Sequence, residues 1–376
     1  MALAVGRAGR WCCCCWWWCC CWWGGRRGGW RGALAAALAG LGAAGALVGC
    51  GAHEELLSRA LALWVAAPVE ASPGPPEPSV SPSSWFALEP AVPAGCGAGA
   101  GAGEAPLLLA LVASAAGHWR ARAAVRGSWG SGGAVRPLFV VGEAEGLQAA
   151  LEGEARRHGD LLQGRFADTY GNLTRKTLCL LRWAALRCPA ARFVLKADDD
   201  VFVNVPALAR HLAALDAARP LYLGRVHWRA RPDRRPASRH HVPAALLAAA
   251  AYPPYCSGTA YVLSAPAVAA LLRAAPRLPP VPVEDAFVGL LARRAGLAPR
   301  HLPRMAGAAR LLPPDPCCYR HVLFSVHGLD PRAMQRAWQQ SPRDGPAACS
   351  PLQRALGLLR CRFLAWRTSS PSPAPP

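Results

Sequence analysis

From Pro106 onward the chain alternates short apolar runs with segments of helical period, and this alternation constrains its fold more than any other feature. Leu107 to Ala113, Leu138 to Gly142, Phe193 to Lys196 and Leu221 to Val226 have the length of buried strands and lack the polar alternation of a half-exposed sheet. Between the second and third runs, Leu178, Leu181, Ala185 and Cys188 recur at helical spacing behind Thr174, which is placed to cap that helix. Pro206 opens a further helix with Leu208, Leu212 and Leu215 on one stripe. Strands that alternate with helices predict an α/β domain with a mostly parallel central sheet flanked by helices. In such sheets ligands bind beyond the carboxyl ends of the strands.

Upstream the chain has a different character. Ala33 to Ala52 carries no charge, is preceded by Arg7, Arg10, Arg26, Arg27 and Arg31 without an acidic residue, and is followed by Glu54 and Glu55. That asymmetry predicts a signal-anchor over residues 33–52 with a cytoplasmic tail at 1–32 and everything beyond in a lumen. Its poverty in large aliphatics and the small residues Cys50-Gly51-Ala52 leave a cleaved signal peptide as the competing reading. The run Trp11 to Trp23, built only of Trp and Cys, reads as a repeat rather than a site. Residues 53–105 are rich in Pro and Gly and predict a stem, 106–367 the folded domain, and 368–376 a disordered tail.

Charge narrows the classes of function. The formal net charge is +20, yet of 42 cationic residues only Lys176 and Lys196 are lysines. Arginine, alanine, glycine and proline share GC-rich codons, so this charge is not read as a nucleic-acid footprint, and no nucleic-acid module is present. With 53% apolar and 17% charged residues the chain is no disordered polycation. Its glycines have no period of three, which excludes a collagen.

Acidic residues are few, so their clusters matter. Asp198, Asp199 and Asp200 follow the apolar run FVLK and precede a second, VFVNV. Three adjacent carboxylates at a strand end repel one another unless a cation neutralises them, and hard oxygen ligands suit Mn²⁺ or Mg²⁺, which commonly share coordination with phosphates. Glu284 and Asp285 open a helix whose Phe287, Val288 and Leu291 face the core and which Gly296 ends. Carboxylates also favour a first helical turn through the macrodipole alone.

RFVLKADDDVFVN (192–204) and VEDAFVG (283–289), together with the Arg122-x-x-x-Arg126-Gly-Ser-Trp-Gly run, FVVGE (139–143), GDLLQGRFADTYGNLTRKT (159–177), YCSGTAYVLS (255–264) and HGLDPRAMQRAW (327–338), resemble in content and order the β-1,3-glycosyltransferase family. The resemblance spans residues 54 to 366; Ala286 and Ala260 depart from the usual Val and Gly and leave the carboxylates untouched. It implies a type II Golgi membrane enzyme of GT-A fold that passes a sugar from a UDP donor to the 3-hydroxyl of an acceptor, with inversion. EELLS (54–58), LYLGRVHWR (221–229) and LGLLRCRFLAW (356–366) resemble its galactosyltransferases of ganglioside synthesis, implying UDP-galactose as donor and a GalNAc-terminated glycolipid as acceptor. A β-1,3-N-acetylglucosaminyltransferase shares these motifs and is the alternative within the family; a non-catalytic basic lumenal protein that binds anionic glycans is the alternative outside it.

By that resemblance Asp198 and Asp200 hold the ion, with His327 of the HxxDP motif as a further ligand. Asp198, Asp199, Arg122 and Arg126 contact the UDP-sugar, and Asp285 is the base that takes the acceptor proton, helped by Glu284. Trp129, Trp228 and Tyr255 are candidates either for stacking on sugar or uracil faces or for the core. Asn172-Leu173-Thr174 is the one glycosylation sequon. Eight cysteines follow the anchor, at 96, 179, 188, 256, 317, 318, 349 and 361, and predict disulfides that tie the Cys349 and Cys361 region to the domain.

Overall fold

The computed structural model describes residues 29–49, 85–97, 105–132, 135–306 and 316–339, and near the C-terminus 349–350, 352–353, 357 and 361. Residues 1–28 of the tail expected at 1–32, residues 50–52 of the expected anchor, residues 53–84 and 98–104 of the expected stem, and the tail at 368–376 lie outside the described residues. The chain divides into two compact units, 1–46 and 47–376. In the first, helix α1 covers Gly29–Gly49, 21 residues dominated by Ala, Gly and Leu. Among the described residues no helix is long and apolar enough to cross a membrane. The expected anchor at 33–52 is thus matched by a helix but not by the apolarity of a span, because Ala and Gly carry too few apolar atoms.

The second unit is built on an eight-stranded sheet. Its strands are β1 (Phe86–Leu88), β2 (Leu108–Ala113), β3 (Pro137–Glu143), β4 (Leu161–Ala167), β5 (Phe193–Asp198), β7 (Tyr222–His227), β8 (Tyr255–Ser264) and β9 (Pro299–His301), in the order β1-β4-β3-β2-β5-β8-β7-β9. β2, β3, β4 and β5 are mutually parallel, β7 and β9 run with them, and β1 and β8 run against them. A separate pair joins β6 (Phe202–Val203) to β10 (Ser325–Val326).

Along β2 the side chains alternate between two cores. Leu109 and Leu111 pack with Leu180, Leu181, Leu271 and Leu291 on one face, while Leu108, Ala110 and Val112 pack with Val125, Leu151, Leu208 and Met334 on the other. A strand buried on both faces has no polar side to show, which explains the uninterrupted apolar runs. The first face is covered by α4 (Leu173–Arg187), α6 (Ala265–Ala274) and α7 (Glu284–Arg294). The second is covered by α2 (Trp119–Arg126), α3 (Gln148–His158), α5 (Val205–Ala213) and α8 (Pro331–Gln339).

Two expectations are corrected. Thr174 does not cap α4: it is buried one residue inside the helix and its Oγ1 donates to Val281 O at 2.5 Å. The stem does not extend to 105, because Phe86–Leu88 pairs antiparallel with β4 and Cys96 is bonded to Cys188 of the domain. A three-residue strand suffices to cover the open edge of β4. The expected tie of the C-terminal region to the domain is present as Cys317–Cys349 and Cys318–Cys361, and Cys179 and Cys256 are buried free thiols. Burial pushes the Cys179 thiol up to about 12.

The strand order locates the site. β2 is followed on one side by β3 and on the other by β5, so the winding direction reverses between β2 and β5, and Ala113 lies opposite Asp198 at their carboxyl ends. Beyond that pair of ends a crevice opens.

Candidate active site

Asp198 ends β5, and the turn after it separates the three carboxylates by direction. Asp199 turns toward β2, where its Oδ2 accepts from Ser114 Oγ at 2.6 Å and meets His118 Nδ1 at 3.0 Å. Asp198 and Asp200 turn the other way, and with His327 they offer ligand atoms that all lie within 4.8 Å of one another. His327 Nε2 is 3.3 Å from Asp200 Oδ2. Asp200 Oδ1 and His327 Nδ1 are buried without a hydrogen-bond partner among the described residues. Two carboxylates and an imidazole, two of their polar atoms unsatisfied, fit a hard or borderline divalent ion such as Mn²⁺ or Mg²⁺.

The second cluster starts α7. Glu284 is buried, and its Oε1 accepts from Thr177 Oγ1 at 2.7 Å and Tyr261 OH at 2.9 Å. Burial raises its pKa above the ordinary glutamate value despite the nearby Lys196. Asp285, one residue on, is only half-buried, and its Oδ2 accepts from the backbone N–H of Gly258 at 2.9 Å. The β8 backbone approaches so closely that a Cβ at position 258 would lie 3.0 Å from Glu284 Oε2 and 3.3 Å from Asp285 Oδ2.

Lys196 joins the two clusters. Its ammonium donates to Asp198 Oδ1 at 2.6 Å and to Gly258 O, and lies 3.7 Å from Glu284 Oε2. Burial alone would lower its pKa, but Asp198 and then Glu284 outweigh it and hold the amine above its ordinary value, fully charged. Asp198 is raised by burial, an effect that Lys196 opposes.

The arginines do something other than expected. All five N–H groups of Arg122 are taken: Glu154 accepts two, at 2.8 and 2.7 Å, Ser114 Oγ one at 2.9 Å, and the carbonyls of Ala115 and Ala116 the rest at 2.6 and 3.0 Å. Arg126 is spent on Glu154 and Asp160, at 2.7 to 2.8 Å. Both fasten α2 and the loop after β2 to the domain. Lys176 completes that fastening by donating to Asp168 Oδ1 at 2.6 Å and to Ser114 O, while Asp168 Oδ2 accepts from the N–H groups of Ala116 and Gly142.

Trp129 is a core residue, 1% exposed, whose indole N–H donates to Val201 O at 2.9 Å. Tyr255 is buried as well, and Trp228 packs partly against the core. Asn172 is half-exposed just before α4, and its amide donates to Ala167 O at 2.8 Å. Sequence reasoning missed Ser114, His118, Asp168, Thr177, Tyr261 and the role of Lys196. One signal was present: in a chain whose cations are nearly all arginine, both lysines are buried against carboxylates. A compact ammonium fits there where a planar guanidinium does not.

The carboxyl edge of a mostly parallel α/β sheet thus carries a triad that could hold a divalent ion and, beside it, a carboxylate held by a backbone N–H. The sequence matches the Galactosyltransferase family over residues 120–303. Beta-1,3-galactosyltransferase 4 of Rattus norvegicus is 44% identical over 360 residues, covering 85% of this chain and 93% of the relative. The Homo sapiens protein of the same name is 42% identical over 368 residues, with the same coverage. A Homo sapiens acetylgalactosaminyl-O-glycosyl-glycoprotein beta-1,3-N-acetylglucosaminyltransferase is 41% identical over 251 residues, covering 62% of this chain and 65% of that protein. The chain belongs to the galactosyltransferase family and is a hexosyltransferase.

Proposed function

We propose that the chain is an inverting, UDP-galactose-dependent β-1,3-galactosyltransferase of GT-A type that extends a terminal GalNAc of glycolipids in ganglioside synthesis. The observation that carries this reading is Lys196. One buried ammonium touches Asp198 of the ion triad and Glu284 of the α7 pair, so the two clusters are walls of a single site. The similarity to beta-1,3-galactosyltransferase 4 over most of both chains supports galactose and the β-1,3 linkage.

Asp198, Asp200 and His327 would hold Mn²⁺ or Mg²⁺, which supplies Lewis-acid neutralisation of the departing diphosphate. Asp285 takes the proton of the acceptor hydroxyl as that oxygen attacks the anomeric carbon and the bond from that carbon to UDP breaks. Gly258 fixes the orientation of Asp285 through its N–H, and Glu284, locked by Thr177 and Tyr261, supports the first turn of α7.

We place the enzyme at the Golgi membrane with its domain lumenal. Three disulfides suit an oxidising compartment, and a strongly basic chain suits an anionic glycolipid surface. Asn172 is proposed to carry a glycan added before its neighbours fold.

The test uses the full chain in detergent with Mn²⁺, UDP-galactose or UDP-N-acetylglucosamine, and a GalNAc-terminated glycolipid. Galactose transfer is expected, lost with a chelator and lowered about 10²- to 10⁴-fold in kcat by Asp285→Asn without loss of thermal stability. Transfer from UDP-N-acetylglucosamine alone would replace the donor, and retention of anionic glycans with no transfer from either donor would replace the enzyme reading.

A further inference from the structure

A UDP-sugar brings a diphosphate to the crevice between the carboxyl ends of β2 and β5, and the cations that line that edge are already committed. Arg122 has every N–H on protein acceptors, and Arg126 is held by Glu154 and Asp160. Lys176 is held by Asp168 and Ser114, and Lys196 by Asp198 and Gly258.

His118 differs. It follows β2 by five residues, while its partner Asp199 directly follows β5, so the two side chains meet across the point where the strand order reverses. The pair is anchored from below: Ser114 Oγ donates to Asp199 Oδ2 at 2.6 Å and itself receives an N–H from Arg122 at 2.9 Å. The Asp199 side chain is 11% exposed and that of His118 60%. The imidazole is therefore held at Nδ1 and open at Nε2, which has no hydrogen bond among the described residues.

We propose that His118 is a donor-binding residue whose Nε2–H is given to a diphosphate oxygen of the nucleotide sugar, with Asp199 as the positioning residue that holds the ring through Nδ1. The inference rests on the nucleotide-sugar reading above. A ring between a carboxylate and a phosphate meets an oxygen acceptor on each side, and it reaches the crevice without disturbing the buried ion pairs beneath it. Asp199 acts on the donor through His118, and Arg122 acts through Ser114.

The test is equilibrium binding of uridine and UDP to the full chain with Mn²⁺ present, for the wild type, His118→Ala and His118→Gln, with unfolding temperatures in parallel. UDP affinity is expected to fall about tenfold in the alanine variant, the size of one charge-assisted hydrogen bond in partly solvated surroundings. Uridine affinity is expected to stay within twofold, and glutamine, which retains an N–H donor, recovers part of the loss. UDP affinity unchanged in both variants, or an equal loss for uridine, overturns the proposal while leaving the enzyme reading intact. A wild type that binds no UDP removes the nucleotide-sugar reading and the proposal with it. His118 is exposed, so both variants are expected to unfold at the wild-type temperature.

Discussion

Gly258 lies where the two carboxylate clusters meet. Its carbonyl accepts from Lys196 and its N–H donates to Asp285, so the two peptide groups that flank its Cα are tied one to the ion-side cation and the other to the base. A methyl at this position would press on Glu284 Oε2 at 3.0 Å and on Asp285 Cβ at 3.3 Å, both held by their own hydrogen bonds. We expect Gly258→Ala to lower kcat at least about tenfold, since a displacement near 1 Å at the reacting group costs more than that. Unfolding temperature should change little; kcat within twofold of wild type would remove the positioning role. The same residue shows why local reading stops short. SGT in a strand looks like any tolerant glycine, and its purpose appears only when β8 and α7 are brought together.

At the scale of elements, α2 is fastened chiefly by ion pairs. Burial raises the Glu154 pKa, but hydrogen bonds from Arg122 and then Arg126 outweigh it, and the group sits below its ordinary value. A carboxylate lowered in the folded state adds stability above its unfolded pKa and loses it as pH falls through the folded value. Glu154→Gln is therefore expected to cost about 2 kcal/mol near pH 7, below the range for fully buried pairs because Glu154 keeps some solvent. The gap to wild type should close as pH falls below the ordinary glutamate range, read by denaturant titration at several pH values. A gap constant with pH would assign the loss to packing.

Strand β1 makes a second case. It contributes three residues at a sheet edge, and Cys96–Cys188, which closes 92 residues of sequence separation, holds its segment in place. Replacing both cysteines by alanine should cost about 2–4 kcal/mol of stability by calorimetry and expose the segment before residue 106 to protease. Equal stability and equal protease resistance would show that β1 holds without the bond. Proline-rich composition hid this strand, because a segment with three strand residues carries no period to read.

For the whole molecule, the ion triad draws on β5 and on the chain just after β10, segments far apart in sequence. Binding there should stabilise the folded state as a whole. At 100 times the dissociation constant the linkage amounts to about 2.7 kcal/mol. Saturating Mn²⁺ should therefore raise the unfolding temperature by about 5 °C, and Asp200→Asn should abolish the rise. An equal rise in the variant would move the ion elsewhere. The +20 charge takes on another meaning at this scale. At the carboxyl edge the conspicuous cations face inward on carboxylates, so excess charge does not mark where the donor binds.

Period and burial were legible without coordinates. The apolar runs of β2, β3, β5 and β7, the helix behind Pro206 and the start of α7 at Glu284 all follow from local patterns that a one-dimensional reading detects. The acidic clusters were legible too, because carboxylates beside apolar strands are costly unless something uses them. Direction was not. Asp198, Asp199 and Asp200 are neighbours in sequence, yet a turn sends the middle one to His118 and the outer two to His327. Arg122 and Arg126 read as free forks, and only the packing of α2 against α3 places Glu154 beneath them. The sequence alone determined which residue types surround the reaction and in what order. The tertiary structure decided which of them face each other, because a hydrogen bond depends on a distance of about 3 Å that sequence separation does not specify.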